Sequence, residues 1–300
     1  QDGTVGFESA ESILRSLSQR YEVAFSDRGA VSEGQDLHFR TRIPTDENFI
    51  VLRTSGTTGE AKLNQHPLSF HENVISRGCE AIVSLGILGS RHTSLIGIPV
   101  GRLSGGFIFC YEVCRRNGWS ILPMGTNEDA ADIAKLISQY KVDVVIMLPN
   151  LIDAVFVQKH ASELSTVRHV LYLGEMLPEA LTRRLASCFP YIRIDPLLYS
   201  SNDTGPIGCP VRGEKPNTYK VFDHVALEVS SNGIDFAGSG TGELFVTVLM
   251  RPDARLVRWR IGDIGTTRQE RGGERFVELL GRGNQSLKFQ MDRAGSSFIV

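Results

Sequence analysis

The sequence predicts an α/β protein in which a mostly parallel sheet with flanking helices is followed by a strand-rich subdomain. Three observations carry this. From the Ser/Thr/Gly-rich stretch at residues 54–62 to about Tyr199, apolar runs of strand length alternate with segments of helical period. After Gly213 the pattern changes to short runs of period-two alternation separated by turn residues. The interval between them, from Gly205 to Pro216, is rich in Gly and Pro and reads as the boundary. The expected division is therefore residues 1–213, 214–288 and a short tail, 289–300.

Each element follows from its local pattern. Phe49-Ile50-Val51-Leu52 reads as a short buried strand at the edge where open α/β folds gather ligands. Helical period predicts helices over 70–83, 106–116, 128–140, 151–159 and 179–188, the last with Pro178 suited to a first turn. Strands are predicted over 94–98, 120–122, 142–147, 169–173 and 192–197. The strand-rich part is predicted to use 219–229, 242–249, 255–261 and 275–280.

Composition narrows the function classes. With 300 residues and 41% hydrophobic content the chain can bury a full core in one large or two smaller domains. A formal net charge of −2 with scattered Lys and Arg gives no footprint for nucleic acid. No apolar run approaches the roughly 20 residues of a membrane span, and the start at Gln1 shows no signal-peptide pattern, so the expected location is cytoplasmic. Cys79, Cys110, Cys114, Cys188 and Cys209 are odd in number with apolar neighbours, which suits reduced core thiols. His66, His71, His92, His160, His169 and His224 are scattered and read as surface or capping residues. No Gly-x-Ser-x-Gly elbow supports a hydrolase.

The densest chemical signal is Thr54-Ser55-Gly56-Thr57-Thr58-Gly59-Glu60-Ala61-Lys62. Glycines let backbone N–H groups approach anionic oxygens, the hydroxyls add donors, and Lys62 adds a compact positive charge, so the loop suits polyphosphate. It is not a Walker loop, because Lys62 follows Gly59 by three residues and precedes Leu63. The string resembles the phosphate loop of the acyl-adenylate-forming superfamily, which includes acyl-CoA synthetases, peptide-synthetase adenylation domains and luciferases; Ala61 stands where that family has Pro.

Further clusters fall in the order this family requires. Gly101-Arg102-Leu103-Ser104-Gly105-Gly106-Phe107, with Tyr111, resembles the glycine-rich turn and aromatic helix of the phenylacetate–CoA ligase branch. The resemblance implies that Gly105, Phe107 and Tyr111 line an acyl pocket; Ser104 as a helix cap with closely packed glycines is the alternative. Gly174-Glu175, after a strand, resembles the segment bordering the adenine pocket, and Glu175 equally suits a helix start. Tyr199-Ser200-Ser201-Asn202-Asp203-Thr204-Gly205-Pro206 resembles the Tyr-Gly-x-(Ser/Thr)-Glu motif followed by Gly-Pro. Ser200 replaces its glycine, Asn202 the hydroxyl that contacts the α-phosphate, and Asp203 the glutamate that ligates Mg²⁺. Asn keeps donors and Asp keeps a hard oxygen on a shorter side chain, while the same composition also suits a polar turn. Trp259-Arg260-Ile261-Gly262-Asp263 resembles Tyr-Arg-Thr-Gly-Asp, whose carboxylate takes the ribose hydroxyls. Gly281-Arg282-Gly283-Asn284-Gln285-Ser286-Leu287-Lys288 resembles the hinge, with Arg282 reaching ribose or phosphates. Each of these two also suits a surface β-turn.

The resemblance, from about Phe49 to Lys288, implies the N-terminal domain of an adenylate-forming enzyme, with nucleotide and acyl sites in residues 1–213. Residues 289–300 then read as the remnant of the hinge, with the lid domain and its lysine absent. The implied activity is ATP-dependent adenylation of an aromatic carboxylic acid, with Mg²⁺ near Asp203, slow unless another chain completes the site, and a role in secondary metabolism such as antibiotic biosynthesis. The implied catalytic residues are Lys62, Asp203 and Arg282. Thr54, Ser55, Gly56, Thr57, Thr58, Gly59, Gly174, Glu175, Tyr199, Ser200, Asn202 and Asp263 are the implied nucleotide-binding set. CoA, a carrier protein or a reductase would be the acceptor, and the branch implies a homodimer. The alternative is a non-catalytic or degenerate homologue that binds ATP and an aryl acid and needs a partner.

Overall fold

The computed structural model describes residues 48–53, 63–233, 235–248 and 258–283, with the backbone of 289–291 and 297–299. An antiparallel hairpin of β1 (Phe49–Arg53) and β2 (Leu63–Pro67) leads into α1 (Leu68–Ser84). Then come β3 (Thr93–Gly97), α2 (Gly105–Arg116), β4 (Ser120–Leu122), α3 (Ala130–Tyr140), β5 (Val144–Met147), α4 (Pro149–Val155), β6 (His169–Tyr172), α5 (Glu179–Cys188) and β7 (Arg193–Pro196). Antiparallel strands follow: β8 (Tyr199–Ser201), β9 (Gly205–Pro210), β10 (Thr218–Val221), β11 (Val225–Ser230), β12 (Gly240–Val248), β13 (Trp259–Gln269) and β14 (Arg275–Arg282). A separate pair, β15 (Phe289–Met291) and β16 (Ser297–Ile299), closes the described chain.

A strand apolar at every position must be covered on both faces, and Val144–Met147 is buried throughout. The parallel sheet runs β4-β3-β5-β6-β7. Leu95, Val145, Met147 and Val170 face Ile133, Ile137, Ile152, Leu181 and Leu185 from α3, α4 and α5. Ile96, Val144, Ile146 and Leu171 face Ile75, Ile82, Phe109 and Val113 from α1 and α2. The result is a helix–sheet–helix sandwich, as the alternating pattern predicts.

The antiparallel sheet runs β11-β12-β13-β14-β10-β9-β8 around a third core that includes Tyr199, Ile207, Leu227, Val246, Trp259 and Phe70 of α1. It starts at Tyr199, ahead of the expected boundary, because the Gly- and Pro-rich stretch is itself strand β9. Small residues there admit the neighbouring helix: a methyl group on Gly205, whose φ is +70°, would lie 3.0 Å from Phe70 Cζ.

Other expectations change in detail. The strand over 49–52 exists, but it belongs to the hairpin and not to the parallel sheet; only Leu52 is buried and Phe49 is exposed. Its partner β2, Leu-Asn-Gln-His-Pro, carries no strand-like apolar run. The run 219–229 is two strands, β10 and β11, joined through Phe222–His224, a turn in which Phe222 and His224 are buried and Asp223 alone is exposed. The expected helix over 151–159 is α4 plus a 3-10 turn at Gln158–His160. Cys110 and Cys114 are buried, and burial pushes the Cys114 thiol up to about 11, whereas Cys188 is exposed, against expectation. No helix among the described residues is long and apolar enough to cross a membrane.

Candidate functional site

In an open α/β sheet ligands collect beyond the carboxyl ends of the strands, where the strand order reverses. Here the chain runs outward from β3 to β4 and returns to β5, so the crevice lies between the carboxyl ends of β3 and β5. The segment after β3 is strained: Gly101, Arg102 and Leu103 have φ of +78°, +49° and +59°. It is pinned by Arg53 N–H donating to Leu103 O at 2.9 Å and by Ser104 N–H donating to Gly101 O at 3.0 Å. Ser104 then caps α2, its Oγ accepting from Phe107 N at 3.4 Å.

The expected acyl-pocket residues separate here. Gly105 is buried at the helix start, where a methyl group would lie 3.3 Å from Asn202 Oδ1. Phe107 packs into the core under α1 and α2, and Tyr111 is 37% exposed. At Gly106 a methyl group would lie 3.4 Å from Ile98 Cγ2 and 3.9 Å from Leu173 Cδ1, so two aliphatic side chains that sequence reasoning passed over flank this helix start. Gly174, at φ +88°, and Glu175 form an exposed turn after β6. Glu175 precedes α5, whose first-turn acid is Glu179, so the helix-start reading of Glu175 does not hold.

A second cluster joins the hairpin to the turn after β8. Asn202 Nδ2 donates to Arg53 O at 2.9 Å, and Asn202 O pairs with His66 Nε2 at 2.8 Å. Asp203 Oδ1 accepts from Asn64 Nδ2 at 2.7 Å. Ser201 Oγ accepts the Thr204 N–H at 3.1 Å and closes the turn, while Ser200 points to solvent. Thr54, Ser55, Gly56, Thr57, Thr58, Gly59 and Lys62 lie outside the described residues. The residues flanking them are paired, Arg53 with Leu63, beside the Asn202–Asp203 turn. Asn64 and His66 were missed; their i, i+2 spacing on the inward face of a strand after the glycine loop is the signal that marks them.

A third cluster forms on the antiparallel sheet. Asp263 Oδ2 accepts from the Tyr199 hydroxyl at 2.9 Å, and Oδ1 meets Arg282 Nε at 3.0 Å. Burial pushes the Asp263 carboxyl up, while Arg282 and then Tyr199 pull it back down. Burial, with Asp263 nearby, pushes the Tyr199 phenol well up. Four inter-strand steps separate β8 from β13, about 19 Å in a flat sheet. A 2.9 Å bond across that distance requires the sheet to curl toward a barrel, which brings Tyr199 of β8 to Asp263 of β13 and its cross-strand neighbour Arg282 of β14.

The histidines correct another expectation: His66, His71, His160 and His224 are buried and not on the surface. Among the described residues no group of three or more His, Cys, Asp or Glu could cage a metal. A single half-buried carboxylate, Asp203, oriented by Asn64, nevertheless fits Mg²⁺, which binds through one or two carboxylates, waters and substrate phosphates. A cavity of about 560 Å³ lined by Thr93, Ser120, Leu122, Met124, Leu136 and Tyr140 lies at the β4 edge and contains none of the expected site residues.

Comparison with solved structures gives the same architecture. A 2-hydroxyisobutyryl-CoA ligase in an open conformation, in complex with 2-HIB-AMP and CoA, superposes with a TM-score of 0.71 at 13% identity, covering 95% of this chain and 73% of that one. The N-terminal domain of FACL13 from Mycobacterium tuberculosis gives 0.58 at 18% identity, covering 89% and 66%. A luciferase-like enzyme from the nonluminescent Zophobas morio mealworm gives 0.57 at 15%, covering 88% and 60%. At these identities the likeness is one of fold. No curated protein sequence matches the chain significantly. The family model described as AMP-binding enzyme matches residues 8–246, most of the chain, from before the hairpin through the parallel sheet and into β12, and the chain therefore belongs to the AMP-binding enzyme family, the acyl-adenylate-forming superfamily.

Proposed function

We propose that the chain is an AMP-forming ligase that joins an aromatic carboxylic acid to the AMP moiety of ATP. The acid's oxygen attacks the α-phosphorus, the bond to the bridging oxygen of the β-phosphate breaks, and pyrophosphate leaves. The observation that carries this reading is the Asp263 carboxylate, held between Tyr199 and Arg282 at the rim of the curled sheet. Its chemistry suits the two vicinal hydroxyls of a ribose.

Because an anion attacks a polyanion, the chain must neutralise and position charge. Lys62 and the amides of residues 54–59 would take the phosphates, and Arg282 would add charge beside the ribose. Mg²⁺, held through Asp203, would supply positive charge to the phosphate oxygens. Asn64 keeps the Asp203 carboxylate turned toward the hairpin. Gly106 and Leu173, both half-buried, offer apolar surface for the acyl group with Ile98 packed behind them, and the preference for an aromatic acid rests on the resemblance of residues 101–111 to the phenylacetate–CoA ligase branch. CoA as acceptor is supported by the ligands of the similar 2-hydroxyisobutyryl-CoA ligase; a carrier protein and a reductase are the other acceptors. A cytoplasmic homodimer serving secondary metabolism is part of the same reading.

A second reading, a binding protein that needs a partner for activity, is favoured by Asn202, whose amide is engaged with Arg53 O. ATP–pyrophosphate exchange with Mg²⁺ and a panel of aryl acids separates the two. The ligase shows acid-dependent exchange that falls at least about a hundredfold in Lys62→Ala and Asp203→Ala. ATP binding without exchange for any acid supports the second reading, and exchange that survives Lys62→Ala overturns the first.

A further inference from the structure

We propose that Arg102, on the strained segment that crosses the carboxyl ends of the parallel strands, is the residue that recognises the carboxylate of the acid substrate. The inference rests on the ligase reading above and names the part of that site which meets the acid's charge.

The segment from Val100 to Gly106 spans the crevice. At one end Val100 reaches the turn after β4, where a methyl group on Gly125 would lie 3.0 Å from Val100 Cγ2. At the other end Gly106 lies beside Leu173, which follows β6; a methyl group on Gly106 would be 3.9 Å from Leu173 Cδ1. Arg102 falls between these ends, so a cation and a half-buried apolar surface belong to one crevice. That combination matches a ligand with an apolar body and a single anionic head.

The backbone holds Arg102 there against its preference. Arg102 and Leu103 have φ of +49° and +59°, conformations that any Cβ disfavours. Glycine would relieve the strain, and the chain uses glycine nearby at Gly101, Gly105 and Gly106, yet position 102 carries an arginine. Arg53 N–H, donating to Leu103 O at 2.9 Å, ties this segment to the end of β1.

The same corner is positive and lacks a counter-ion. Arg102 and Arg53 are both exposed, and among the described residues neither guanidinium has a hydrogen-bond or ion-pair partner. Alternation along β1 turns Arg53 to the face opposite Leu52 and its cross-strand partner Asn64, and so away from Asp203. Two positive charges on hydrogen-bonded segments repel each other, and a bound anion offsets that repulsion. A planar guanidinium takes both oxygens of a carboxylate at once, which fixes the plane of the acid as well as its charge. Once the acid's oxygen bonds to the α-phosphorus that charge is gone. The contact therefore favours bound acid over the acyl-adenylate, and it acts on acid affinity more than on turnover.

The test measures, by titration calorimetry at neutral pH, the affinities of benzoate, phenylacetate and cinnamate against those of benzamide, phenylacetamide and cinnamamide. The amides keep the shape and lack the charge. ATP affinity is measured alongside. The unmodified chain is expected to prefer at least one acid over its amide by about tenfold, the scale of a hydrogen bond to a charged group. Arg102→Gln brings that ratio near one and leaves ATP affinity unchanged. Arg102→Gly, which also relieves the left-handed backbone, loses the preference without a fall in melting temperature. A preference kept in both variants overturns the proposal and leaves the ligase reading standing, as does an unmodified chain that binds acids and amides alike. A loss in Arg102→Gln that falls on ATP instead of the acids assigns the residue to phosphate and also overturns it. If the unmodified chain binds ATP but none of the acids, the aromatic-acid reading itself fails and takes this proposal with it.

Discussion

His224 is 1% exposed between β9 and β11, with its Nε2–H donating to Pro206 O at 3.1 Å and Nδ1 buried without a hydrogen-bond partner. Burial, followed by the charge of Arg77, lowers it from 6.5 to about 4. The unfolded chain therefore binds a proton that the fold refuses. The resulting stability is fully present above pH 6.5 and is lost as pH falls toward 4, a swing of about 3 kcal/mol. Asp263, raised by burial, acts in the opposite sense, favouring the fold at low pH and losing that contribution as pH rises through its folded value. His224→Gln, which keeps a donor for Pro206 O, is expected to flatten the decline in urea midpoint between pH 6.5 and 4; an unchanged decline would assign the acid sensitivity elsewhere. Residue identities alone could not place this histidine inside, because its neighbours in sequence, Asp223 and Val225, differ as much as a surface residue from a core one. Asp263 was legible as a candidate site residue by the resemblance of its motif; its Tyr199 bond was not, since the partners are 64 positions apart.

Helices α1 and α2 meet at Gly78. A methyl group there would lie 2.4 Å from Val113 Cγ2 and 2.6 Å from the Phe109 Cζ. Gly78→Ala gains about 1 kcal/mol of helix propensity but overpacks a tight crossing at a cost of about 1–3 kcal/mol. The expected net effect is a loss of stability, read as a lower urea midpoint; a rise would mean the crossing relaxes freely. The start of α2 holds Gly105 beside Asn202, so the same crossing supports the site. At this scale the sequence was informative where periodicity is strong. The helices observed at Leu68–Ser84, Gly105–Arg116 and Glu179–Cys188 lie within two residues of the expected bounds. It was uninformative for β2, whose Asn64 and His66 are buried polar residues that earn their place through bonds to Asp203 and Asn202.

Across the whole molecule, α1 binds the two sheets together. Ile75 and Ile82 pack against the parallel sheet, while Phe70 enters the core of the antiparallel one. Phe70→Ala removes a fully buried ring at a cost of about 3–5 kcal/mol. Scanning calorimetry is expected to show one transition moved to lower temperature; two transitions, with only the second sheet affected, would show that the cores unfold independently. From the sequence by itself came the α/β class, the parallel-then-antiparallel order and the family, together with the proposal of Asp203, Asp263 and Arg282 as site residues, because period and motif are local properties of consecutive residues. Tertiary structure alone decided that the hairpin stands apart from the parallel sheet, that β8 begins the second sheet before the expected boundary, and that Tyr199 joins Asp263 and Arg282 in one cluster. These depend on strand order and on sheet curl, which arise when distant segments bury their apolar faces together, and no local pattern encodes how far a sheet will bend to do so.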